Sequence, residues 1–497
     1  MKQQPPKIIT TLSVSIRDAG GRALLVGGCV RDMLLDIAPK DFDIEVYGLA
    51  PEKLTEIAKT FGEVIEVGRA FGILKLKITS PQPPPSKGGG GITDIAPPYE
   101  GGVGGGLEID LGIPRSDSKI ADGHKGFDVR VDPSMSPQDA VRRRDFTINA
   151  IMMDPLTDEV IDPAGGVADL EKKILRVVDP VLFGDDPLRV LRALQFVARF
   201  DLIVDPESMN VIKATVSRLK ELSPERLRDE WRKLLVLAEM PSIGLQLGFD
   251  LGVFDVLHPE LPILKSTPQN PEWHPEGDVW IHTLMVVDEA AMIIRRENLD
   301  DESAFTIMLA ALCHDLGKSL CTRVIDEKIR SIGHEEEGEA PTRSFLKTVG
   351  VSSAVVEKIV GIVNDHLKPT VFYLQEIEKK EPITDGAIRK LAARISPATM
   401  NELLLVSEAD YFGRGQWRHG ELRTYPERPW LLDRAERLNV LVGPAPHAIT
   451  GAELVALGIE PGPKMGEMIR EADRLRDDEG KTKEEIEMWI KDELRWM

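Results

Sequence analysis

The sequence predicts an α+β fold, in which a mixed sheet with helices forms the first part of the chain and helices form the rest. Three observations predict it. An apolar run, a diglycine, a short helical pattern and a second apolar run follow one another between residues 24 and 46. Stretches 71–78 and 107–111 are typical of strands. From residue 185 onward, apolar residues recur mostly at helical spacing.

Length and composition favour several domains in a reducing compartment. The chain has 497 residues, which suggests two to four domains. Its three cysteines, Cys29, Cys313 and Cys321, offer no framework of paired spacings. We find no run of about 18 apolar residues, and residues 1–6 lack the apolar core of a signal peptide. We therefore expect a cytoplasmic protein with no membrane partner.

The net charge bears on whether the chain binds nucleic acid. A formal charge of −20 at pH 7 argues, taken alone, against such a partner, because phosphate contacts require Lys and Arg. The charge is unevenly distributed, since residues 186–240 carry 10 Lys and Arg against 9 Asp and Glu. A local RNA-facing surface is therefore compatible with an acidic protein. The sequence carries no signal for the oligomeric state.

The first motif is a glycine turn followed by two acids. Gly27 and Gly28 lack a Cβ, so the backbone N–H groups and the next helix can approach a phosphate. Asp41 and Asp43 lie two residues apart in a strand pattern and therefore share one face. Two carboxylates beside a phosphate loop suit Mg²⁺ held jointly with substrate phosphates. The alternative is a tight turn followed by a strand with solvated acids.

The block from Gly27 to Asp43 resembles the signature of the class II tRNA nucleotidyltransferases and bacterial poly(A) polymerases, in the polymerase-β-like nucleotidyltransferase superfamily. This resemblance implies a nucleotidyltransferase head with Mg²⁺, CTP and ATP as substrates and tRNA as partner. It also implies that Asp110, in the strand at 107–111, joins Asp41 and Asp43 and prepares the attacking hydroxyl. An acid on an edge strand is the alternative for Asp110.

A Pro/Gly-rich segment separates the strand at 71–78 from the strand of Asp110. Between Pro81 and Gly106, 15 of 26 residues are Pro or Gly. Such a composition buries too little apolar surface to offset the entropy of ordering. We expect a disordered insertion at a hairpin tip, where insertions are tolerated. An RNA-binding arm is the alternative, although Lys87 is its only basic residue.

Further motifs carry the resemblance along the chain. Arg115 would approach the triphosphate, and residues 112–126 would form the mobile loop needed for the final adenylate. Arg144 would lie near phosphate, while Asp145 and Asn149 would position the ribose. The implied nucleotide-binding set comprises Gly27, Gly28, Arg31, Arg115, Arg144, Asp145, Asn149, Asp186, Arg189 and Arg192.

A pair three residues apart, Asp186 and Arg189, can present an acceptor beside a fork of donors at the start of a helix. Cytosine and adenine each show an amino donor beside a ring-nitrogen acceptor, whereas guanine and uracil show a carbonyl beside a ring N–H. The pair therefore complements C and A, and in the resembled family this motif selects them without a template. A two-point contact discriminates by about 1–3 kcal/mol. Asp185 stands where the family usually has Glu, and a capped helix with a solvated Arg is the alternative.

A second set of candidate residues follows residue 259. Imidazoles and carboxylates are ligands for Ni, Mn, Fe or Zn, and carboxylates also suit Mg. Their order resembles the HD phosphohydrolase superfamily, which implies a metal that activates water and removal of cyclic or terminal phosphates from RNA ends. Four of these residues suffice for one metal, and His334 with His366 would permit a second. The complete set is His282, His314, Asp315, His334, His366 and Asp410.

We therefore predict four parts: a nucleotidyltransferase head (1–178, with the insertion at 81–106), a nucleotide-selecting and RNA-binding helical neck (179–250), an HD domain (251–440) and a helical tail (441–497). The predicted function is template-independent addition of CCA to the tRNA 3′ end, with an HD phosphohydrolase activity. One alternative is a CC-adding, A-adding or poly(A) product made by the same chemistry. The others are a phosphohydrolase with a vestigial head and a non-catalytic RNA-binding scaffold.

Overall fold

The computed structural model describes residues 3–66, 73–78, 107–119, 127–415 and 423–495. The chain divides into two compact units, Met1–Ala193 with Phe200–Glu221 and Leu194–Arg199 with Leu222–Met497. The predicted α+β organisation is confirmed, because the strands of the large sheet all precede residue 162 and helices dominate thereafter. The insertion predicted at 81–106 lies outside the described residues. The four-part domain division stays a prediction.

A mixed seven-stranded sheet organises the first unit. The strands of this unit are β1 (Arg22–Val26), β2 (Phe42–Tyr47), β3 (Glu63–Glu66), β4 (Ile73–Lys77), β5 (Glu108–Gly112), β6 (Arg115–Lys119), β7 (Phe127–Val131), β8 (Met152–Met153), β9 (Val160–Ile161), β10 (Ile174–Leu175) and β11 (Ile203–Val204). The large sheet has the order β3-β4-β5-β2-β1-β8-β9. Only β2 and β5 run parallel within it, and its other neighbours are antiparallel.

The helices of the first unit flank this sheet or follow it in the chain. In α1, the residues Ile9, Leu12 and Ile16 are buried at the spacing of one helical face. The side chain of Asp205 caps α7 by accepting from Ser208 N. The helices are α1 (Lys7–Asp18), α2 (Gly28–Leu34), α3 (Pro51–Ala58), α4 (Pro137–Val141), α5 (Gly166–Glu171), α6 (Leu188–Phe200), whose residues 194–199 belong to the second unit, and α7 (Pro206–Thr215).

Strand β1 is buried on both faces of the sheet. Successive side chains point to opposite faces of a strand. Ala23 and Leu25 accordingly belong to one apolar cluster, and Leu24 and Val26 to another. The strand after which the glycine turn begins is therefore held in the centre of the unit.

The local elements predicted around the glycine turn are confirmed. Strand, turn, helix and strand occur as β1, Gly27, α2 and β2. The segment predicted as a loop, 112–126, instead includes strand β6, which pairs with β7 in a hairpin. The sequence Arg-Ser-Asp-Ser-Lys of β6 has no apolar alternation, so its strand character depends on the partner strand.

The second unit is helical apart from one hairpin, β12 (Arg323–Ile325) with β13 (Lys328–Arg330). Helix α11 packs against α12 and α19, and these helices carry several of the predicted metal ligands. The helices are α8 (Pro224–Leu237), α9 (Pro241–Leu251), α10 (Val253–Leu257), α11 (Val279–Arg296), α12 (Asp301–Cys313), α13 (Lys318–Cys321), α14 (His334–Glu337), α15 (Glu339–Val349), α16 (Ser353–Asp365), α17 (Lys368–Tyr373), α18 (Asp385–Ile395), α19 (Met400–Phe412), α20 (Glu427–Arg437), α21 (Gly451–Ala456), α22 (Pro463–Glu479) and α23 (Lys483–Arg495).

Helix α12 lies in the core of this unit. By length and composition alone, the segment Asp301–Cys321 is long and apolar enough to span a membrane, although Asp315 and Lys318 interrupt its apolar residues. Within the protein, 83% of the apolar window in this segment is buried, as expected of a helix in the core of a domain. The tail helices α21 to α23 share a separate apolar cluster that includes Leu454, Leu475 and Ile490.

Candidate functional sites

The three predicted acidic residues of the head lie on or next to two neighbouring strands in the interior of the large sheet. Asp43 in β2 lies directly opposite Asp110 in β5, because the two strands are parallel and in register at this pair. Asp41 immediately precedes β2. Lys75 in β4 is the antiparallel partner of Asp110, and its Nζ lies 3.6 Å from Asp110 Oδ1. The sheet thus brings Asp43 and Asp110 together, and their joint role with Asp41 at a metal stays a prediction.

The electrostatics of this acidic cluster fit a divalent cation. Desolvation raises the pKa of Asp43, and repulsion from Asp110 and Asp41 raises it further, while attraction to Arg144 opposes the shift. Mutual repulsion among carboxylates is relieved when a hard cation lies between them. Asp41, Asp43 and Asp110 therefore have the ligand type and the electrostatic need of a Mg²⁺ site.

The glycine turn borders the same carboxylates. Gly27 has φ of 76° and ψ of −135°, a backbone conformation that is rare outside glycine. A Cβ at Gly27 would lie 3.0 Å from Arg144 Nη1 and 3.6 Å from Asp43 Oδ2. At Gly28 a Cβ would meet only Arg31 Nη2, at 3.6 Å. Gly27 is therefore the position that requires glycine.

A polar network joins the two predicted ribose-positioning residues, Asp145 and Asn149, to Arg31 and Arg192. Arg31 Nη1 donates to Asn149 Oδ1 at 2.6 Å, and Asn149 Nδ2 donates to Asp145 Oδ1 at 3.0 Å. Arg192 Nε donates to Asp145 Oδ2 at 2.6 Å. Burial raises the pKa of Asp145, but Arg192 and Asn149 outweigh it and hold the pKa below its usual range. The network therefore holds the charged carboxylate of Asp145 between Asn149 and Arg192.

The predicted base-reading pair lies at the start of α6. Asp186 Oδ1 accepts from Leu188 N at 3.1 Å and so caps the helix. Arg189 Nη1 donates to Leu182 O at 2.7 Å, and its Nη2 donates to the carbonyl oxygen of Arg143. A guanidinium has five N–H donors, so two backbone acceptors do not exhaust it. These contacts anchor Arg189, and its role in reading a base stays a prediction.

Arg115 opens β6, three residues after β5 ends, and its side chain is half-buried. The hairpin partner of Arg115 is Val131 in β7. In the sequence, Arg115 therefore follows closely after the strand that carries Asp110. Its approach to a triphosphate stays a prediction.

The second unit contains a buried cluster of imidazoles and carboxylates, and it includes all six residues predicted as metal ligands. They come from α11, from the segment that follows α12, from α14, from the end of α16 and from α19. Each is at most 6% exposed. Burial of this many titratable groups requires that they satisfy one another or a cation. The six are His282, His314, Asp315, His334, His366 and Asp410.

These six residues form two triads of ligand atoms. Potential ligand atoms of His282, His314 and Asp410 lie within 4.8 Å of one another, as do those of Asp315, His334 and His366. Asp315 also faces both groups, because its Oδ2 lies 3.2 Å from His314 Nε2 and its Oδ1 lies 3.3 Å from His334 Nε2. A carboxylate in this position can bridge two cations. The arrangement therefore favours the two-metal reading of the sequence.

Contacts through Nδ1 orient the histidine rings of the cluster. In His314, His334 and His366, Nδ1 is paired with the backbone oxygen three residues earlier, at 2.7 to 2.9 Å. His282 Nδ1 lies 2.9 Å from the carboxylate of Glu276. Metal-binding histidines characteristically hold the second ring nitrogen in this way. The Nε2 atoms of His282 and His314 consequently face each other at 3.2 Å, an arrangement that a cation would stabilise.

Two positively charged side chains, those of Lys318 and Arg414, flank the cluster. Lys318 Nζ lies 2.6 Å from Asp315 Oδ2 and donates to Gln269 Oε1 at 2.8 Å. Arg414 donates to Asp410 Oδ2 at 2.9 Å. Burial raises the pKa of Asp315 and of Asp410, but the neighbouring histidines and these cations outweigh it and hold both well below the usual range. The carboxylates are therefore charged and able to bind metal.

Sequence reasoning missed four residues at these sites. Glu276 Oε1 accepts from His274 Nδ1 at 2.8 Å. Burial raises the pKa of Glu276, but its hydrogen bonds with His274 and His282 outweigh burial and lower that pKa to about 2. Spacing could have indicated Lys318 and Arg414, since each lies three or four residues after a predicted ligand. Glu276 precedes its helix by three residues, and no periodicity marks it. The fourth residue, Lys75, is visible only once β4 and β5 pair.

Three protein-family models match the chain. The first is described as the poly A polymerase head domain and matches residues 23–83 and 109–176. The second, a probable RNA and SrmB-binding site of polymerase A, matches residues 201–264, and the third, the HD domain, matches residues 279–414. Together with the acidic site on the sheet and the buried histidine cluster, these matches define a nucleotidyltransferase that carries an HD domain.

Relatives over most of the chain narrow this class. A multifunctional CCA protein of Xanthomonas campestris pv. campestris (strain B100) is 34% identical over 372 residues, which cover 73% of this chain and 83% of the relative. The chain belongs to the family of the multifunctional CCA proteins. Another member, from Stenotrophomonas maltophilia (strain R551-3), is 33% identical over 399 residues, or 78% of this chain and 86% of the relative.

Solved structures share the fold. A CCA-adding enzyme from Bacillus stearothermophilus, in complex with CTP, superposes with a TM-score of 0.64 and 21% identity, covering 99% of this chain and 98% of that one. The Thermotoga maritima CCA-adding enzyme, complexed with tRNA(CCA), gives a TM-score of 0.57 and 19% identity over 99% and 97% of the two chains. The predicted polymerase-type head followed by helical parts is thereby confirmed as a fold.

Proposed function

We propose that the first unit adds the CCA sequence to the 3′ end of tRNA, taking C from CTP and A from ATP without a template. Membership of the multifunctional CCA protein family supports this function. The observation that carries it is the in-register pairing of Asp43 with Asp110, since it brings two carboxylates together on neighbouring strands, with Asp43 next to the Gly27 turn. The expected setting is the cytoplasm, where tRNA matures.

In the proposed reaction, the RNA 3′-hydroxyl oxygen attacks the α-phosphorus of the nucleotide. A new O–P bond forms, the bond to the bridging oxygen breaks, and pyrophosphate leaves with its electron pair. Asp110 accepts the hydroxyl proton, while Asp41 and Asp43 would hold Mg²⁺ with the triphosphate. Bound Mg²⁺ supplies charge neutralisation at the leaving group. Arg144 and Arg115 bind phosphate oxygens, and the chain from Arg31 to Arg192 through Asn149 and Asp145 positions the ribose.

Base selection is proposed for Asp186 and Arg189. Asp186 accepts from the exocyclic amino group that cytosine and adenine share, and Arg189 donates to the adjacent ring nitrogen. The anchoring of Arg189 on two backbone oxygens supports this assignment, because a fixed guanidinium presents its remaining N–H groups in one direction. Guanine and uracil would place a carbonyl against the carboxylate and an N–H against the guanidinium.

Extension of defined tRNAs by single nucleotides tests the proposed product. Purified protein is incubated with tRNA that lacks the CCA end, tRNA that ends in CC, or mature tRNA, together with each nucleoside triphosphate alone. We expect CTP to extend the first substrate by two residues, ATP to extend the second by one, and no nucleotide to extend the third. Repeated A addition would indicate a poly(A) polymerase, and Asp43→Ala should abolish every extension.

We propose that the second unit hydrolyses phosphate esters at RNA ends. The donor set of the two triads fits divalent Ni, Mn, Fe, Zn or Mg ions, which would be held by His282, His314, Asp315, His334, His366 and Asp410. Asp315 would contribute to both groups of ligands, since one of its oxygens faces each triad. Bound metal supplies a hydroxide near neutral pH. In the proposed hydrolysis, the oxygen of a water molecule forms a new bond to phosphorus, the P–O ester bond breaks, and a proton from that water goes to the leaving oxygen. Lys318 and Arg414 neutralise the phosphate oxygens.

Phosphate release tests this second activity. The protein is loaded with each of the five metals in turn and given RNA with a 2′,3′-cyclic or terminal 3′-phosphate. Asp315→Asn should abolish release while tRNA extension continues, and Asp43→Ala should do the reverse. Release without any nucleotide incorporation by the wild-type protein would instead support a phosphohydrolase with a vestigial head. Neither activity under any metal would support an RNA-binding scaffold.

A further inference from the structure

The pocket above the histidine cluster is larger than a phosphate group needs. Its volume is about 420 Å³, which lies in the range of sites for nucleotide-sized ligands. Its floor carries Asp315, His334 and Asp410, whereas its rim carries an indole and the side chains of a hairpin. The residues of the floor account for the proposed hydrolysis of phosphate esters, whereas the residues of the rim have no role in that activity.

The indole is Trp273, which is 61% exposed although it lines the pocket. Its backbone is fixed by a tight turn, because Trp273 N donates to Asn270 O at 3.1 Å and Glu272 N donates to Asn270 Oδ1 at 3.0 Å. The next residue, His274, is pinned by Glu276. Trp273 thus presents a partly exposed aromatic face on a hydrogen-bonded turn that lines the pocket of the proposed reaction site. Such faces are the usual platforms for nucleobases.

The hairpin of β12 and β13 forms another part of the rim. Lys328 and Arg330 line the pocket, and both are exposed. Lys328 Nζ lies 3.1 Å from Glu272 Oε2, which ties the hairpin to the turn of Trp273. At its other end, Ser331 O is paired with Nδ1 of His334 on the floor. The hairpin therefore places two cationic side chains at the rim of the pocket, where they can contact a phosphate.

We propose that this pocket recognises the end of a single-stranded RNA through its rim. The terminal base stacks on Trp273, the terminal phosphate lies on the floor, and the phosphodiester that precedes it is bound by Lys328 and Arg330. This inference rests on the proposed phosphohydrolase and names the structural features of its substrate: a nucleobase and a preceding phosphodiester. A mononucleotide would use Trp273 alone, and a phosphoester without a base would use neither.

Three substrates separate these contributions in the metal-loaded full chain: a short oligoribonucleotide with a 3′-phosphate, a nucleoside 3′-phosphate and glycerol 2-phosphate. Trp273→Ala should raise KM for the first two by roughly 5- to 150-fold, as expected for loss of one stacked base. The same substitution should leave KM for glycerol 2-phosphate unchanged. Trp273→Phe should restore most of the affinity. A merely structural role of Trp273 would change hydrolysis of all three substrates together.

The cations are tested by the double variant Lys328→Gln with Arg330→Gln. It should raise KM for the oligoribonucleotide alone and flatten the dependence of that KM on salt. Lys347→Gln, which removes an exposed charge on α15, is the matched control and should change nothing. Equal KM values for wild type and Trp273→Ala on the oligoribonucleotide would overturn the inference, as would hydrolysis of glycerol 2-phosphate alone. Hydrolysis of no phosphoester with any metal would overturn the proposed function as well.

Discussion

Glu276 Oε1 lies 2.9 Å from Nδ1 of His282, whose other ring nitrogen lies 3.1 Å from Asp410 Oδ1. The carboxylate is buried and also accepts from His274. This contact orients the His282 ring and favours the tautomer that leaves Nε2 available as a ligand. Glu276 is therefore a positioning residue for the proposed metal site.

Replacement of this carboxylate should weaken metal binding. We expect Glu276→Gln to lower the affinity of the second unit for its metal by about 10- to 100-fold, the usual effect of losing a partner behind a metal-binding histidine. Metal titration of the chelator-treated protein measures the affinity directly. Glu381→Gln, at an exposed glutamate, is the control. Unchanged metal affinity together with a normal Tm would contradict the role.

Removal of the proposed base should affect nucleotide addition alone. We expect Asp110→Asn to slow CTP incorporation into CCA-less tRNA by roughly 10²- to 10⁴-fold, the range for loss of a general base. Glu108→Gln changes an acid two residues earlier in β5 and should retain incorporation. Phosphate release by the second unit serves as the internal control for folding. Incorporation within a factor of two of wild type would exclude Asp110 from the proposed chemistry.

Gly27 and Gly28 offer a matched pair of substitutions. Gly27→Ala places a Cβ in a conformation that costs about 1–3 kcal/mol, at 3.0 Å from Arg144 Nη1. We expect kcat/KM for CTP to fall at least about 10-fold. Gly28→Ala meets only an ordinary contact inside α2, where alanine is favoured over glycine. The outcome that would contradict this prediction is equal loss of CTP incorporation in the two variants.

Stability should depend on the charge of Asp288. Burial raises the pKa of Asp288 to about 6, above its value of about 3.9 in an unfolded chain. Folding therefore favours the protonated form, so stability is full below about pH 4 and is lost as the pH rises through about 6. Asp288→Asn keeps an acceptor for Ser242 N, which donates to Asp288 Oδ1 at 3.0 Å.

Calorimetry of this variant at two pH values provides the measurement. We expect the Tm of Asp288→Asn, relative to wild type, to be higher at about pH 7.5 than at about pH 4, because only the wild type becomes charged between them. Asp255→Asn, at an exposed acid on α10, should show no such difference. A Tm difference that is the same at both pH values would show that Asp288 does not titrate as described.

The strands that carry the acidic residues of the head could be predicted because their signals are local. Two-residue alternation was enough to assign Asp43 to a strand, and the short run 107–111 was enough to assign Asp110 to another. Their meeting was expected from the resemblance, and the register of β2 and β5 shows it in the structure. Lys75 escaped notice because its proximity to Asp110 arises only when β4 pairs with β5.

The histidine cluster could be predicted from the sequence only in part. Residue type and order indicated its six members through the resemblance to the HD superfamily, and the structure brings these residues together in one buried cluster. Glu276 and Trp273 could not be predicted, because they lie in an irregular segment whose contacts are fixed by hydrogen bonds such as Trp273 N to Asn270 O. Tertiary contacts of loops leave no periodic trace in a sequence.

The pairing of β4 with β5 has a practical consequence for protein engineering. These strands are hydrogen-bonded neighbours in a register that runs from Ile73 opposite Gly112 to Lys77 opposite Glu108. The backbone ladder, rather than the length of the intervening chain, therefore determines where Asp110 lies. A fluorescent label or affinity tag grafted between residues 81 and 106 should leave catalysis intact and give a handle for following the enzyme on its substrate.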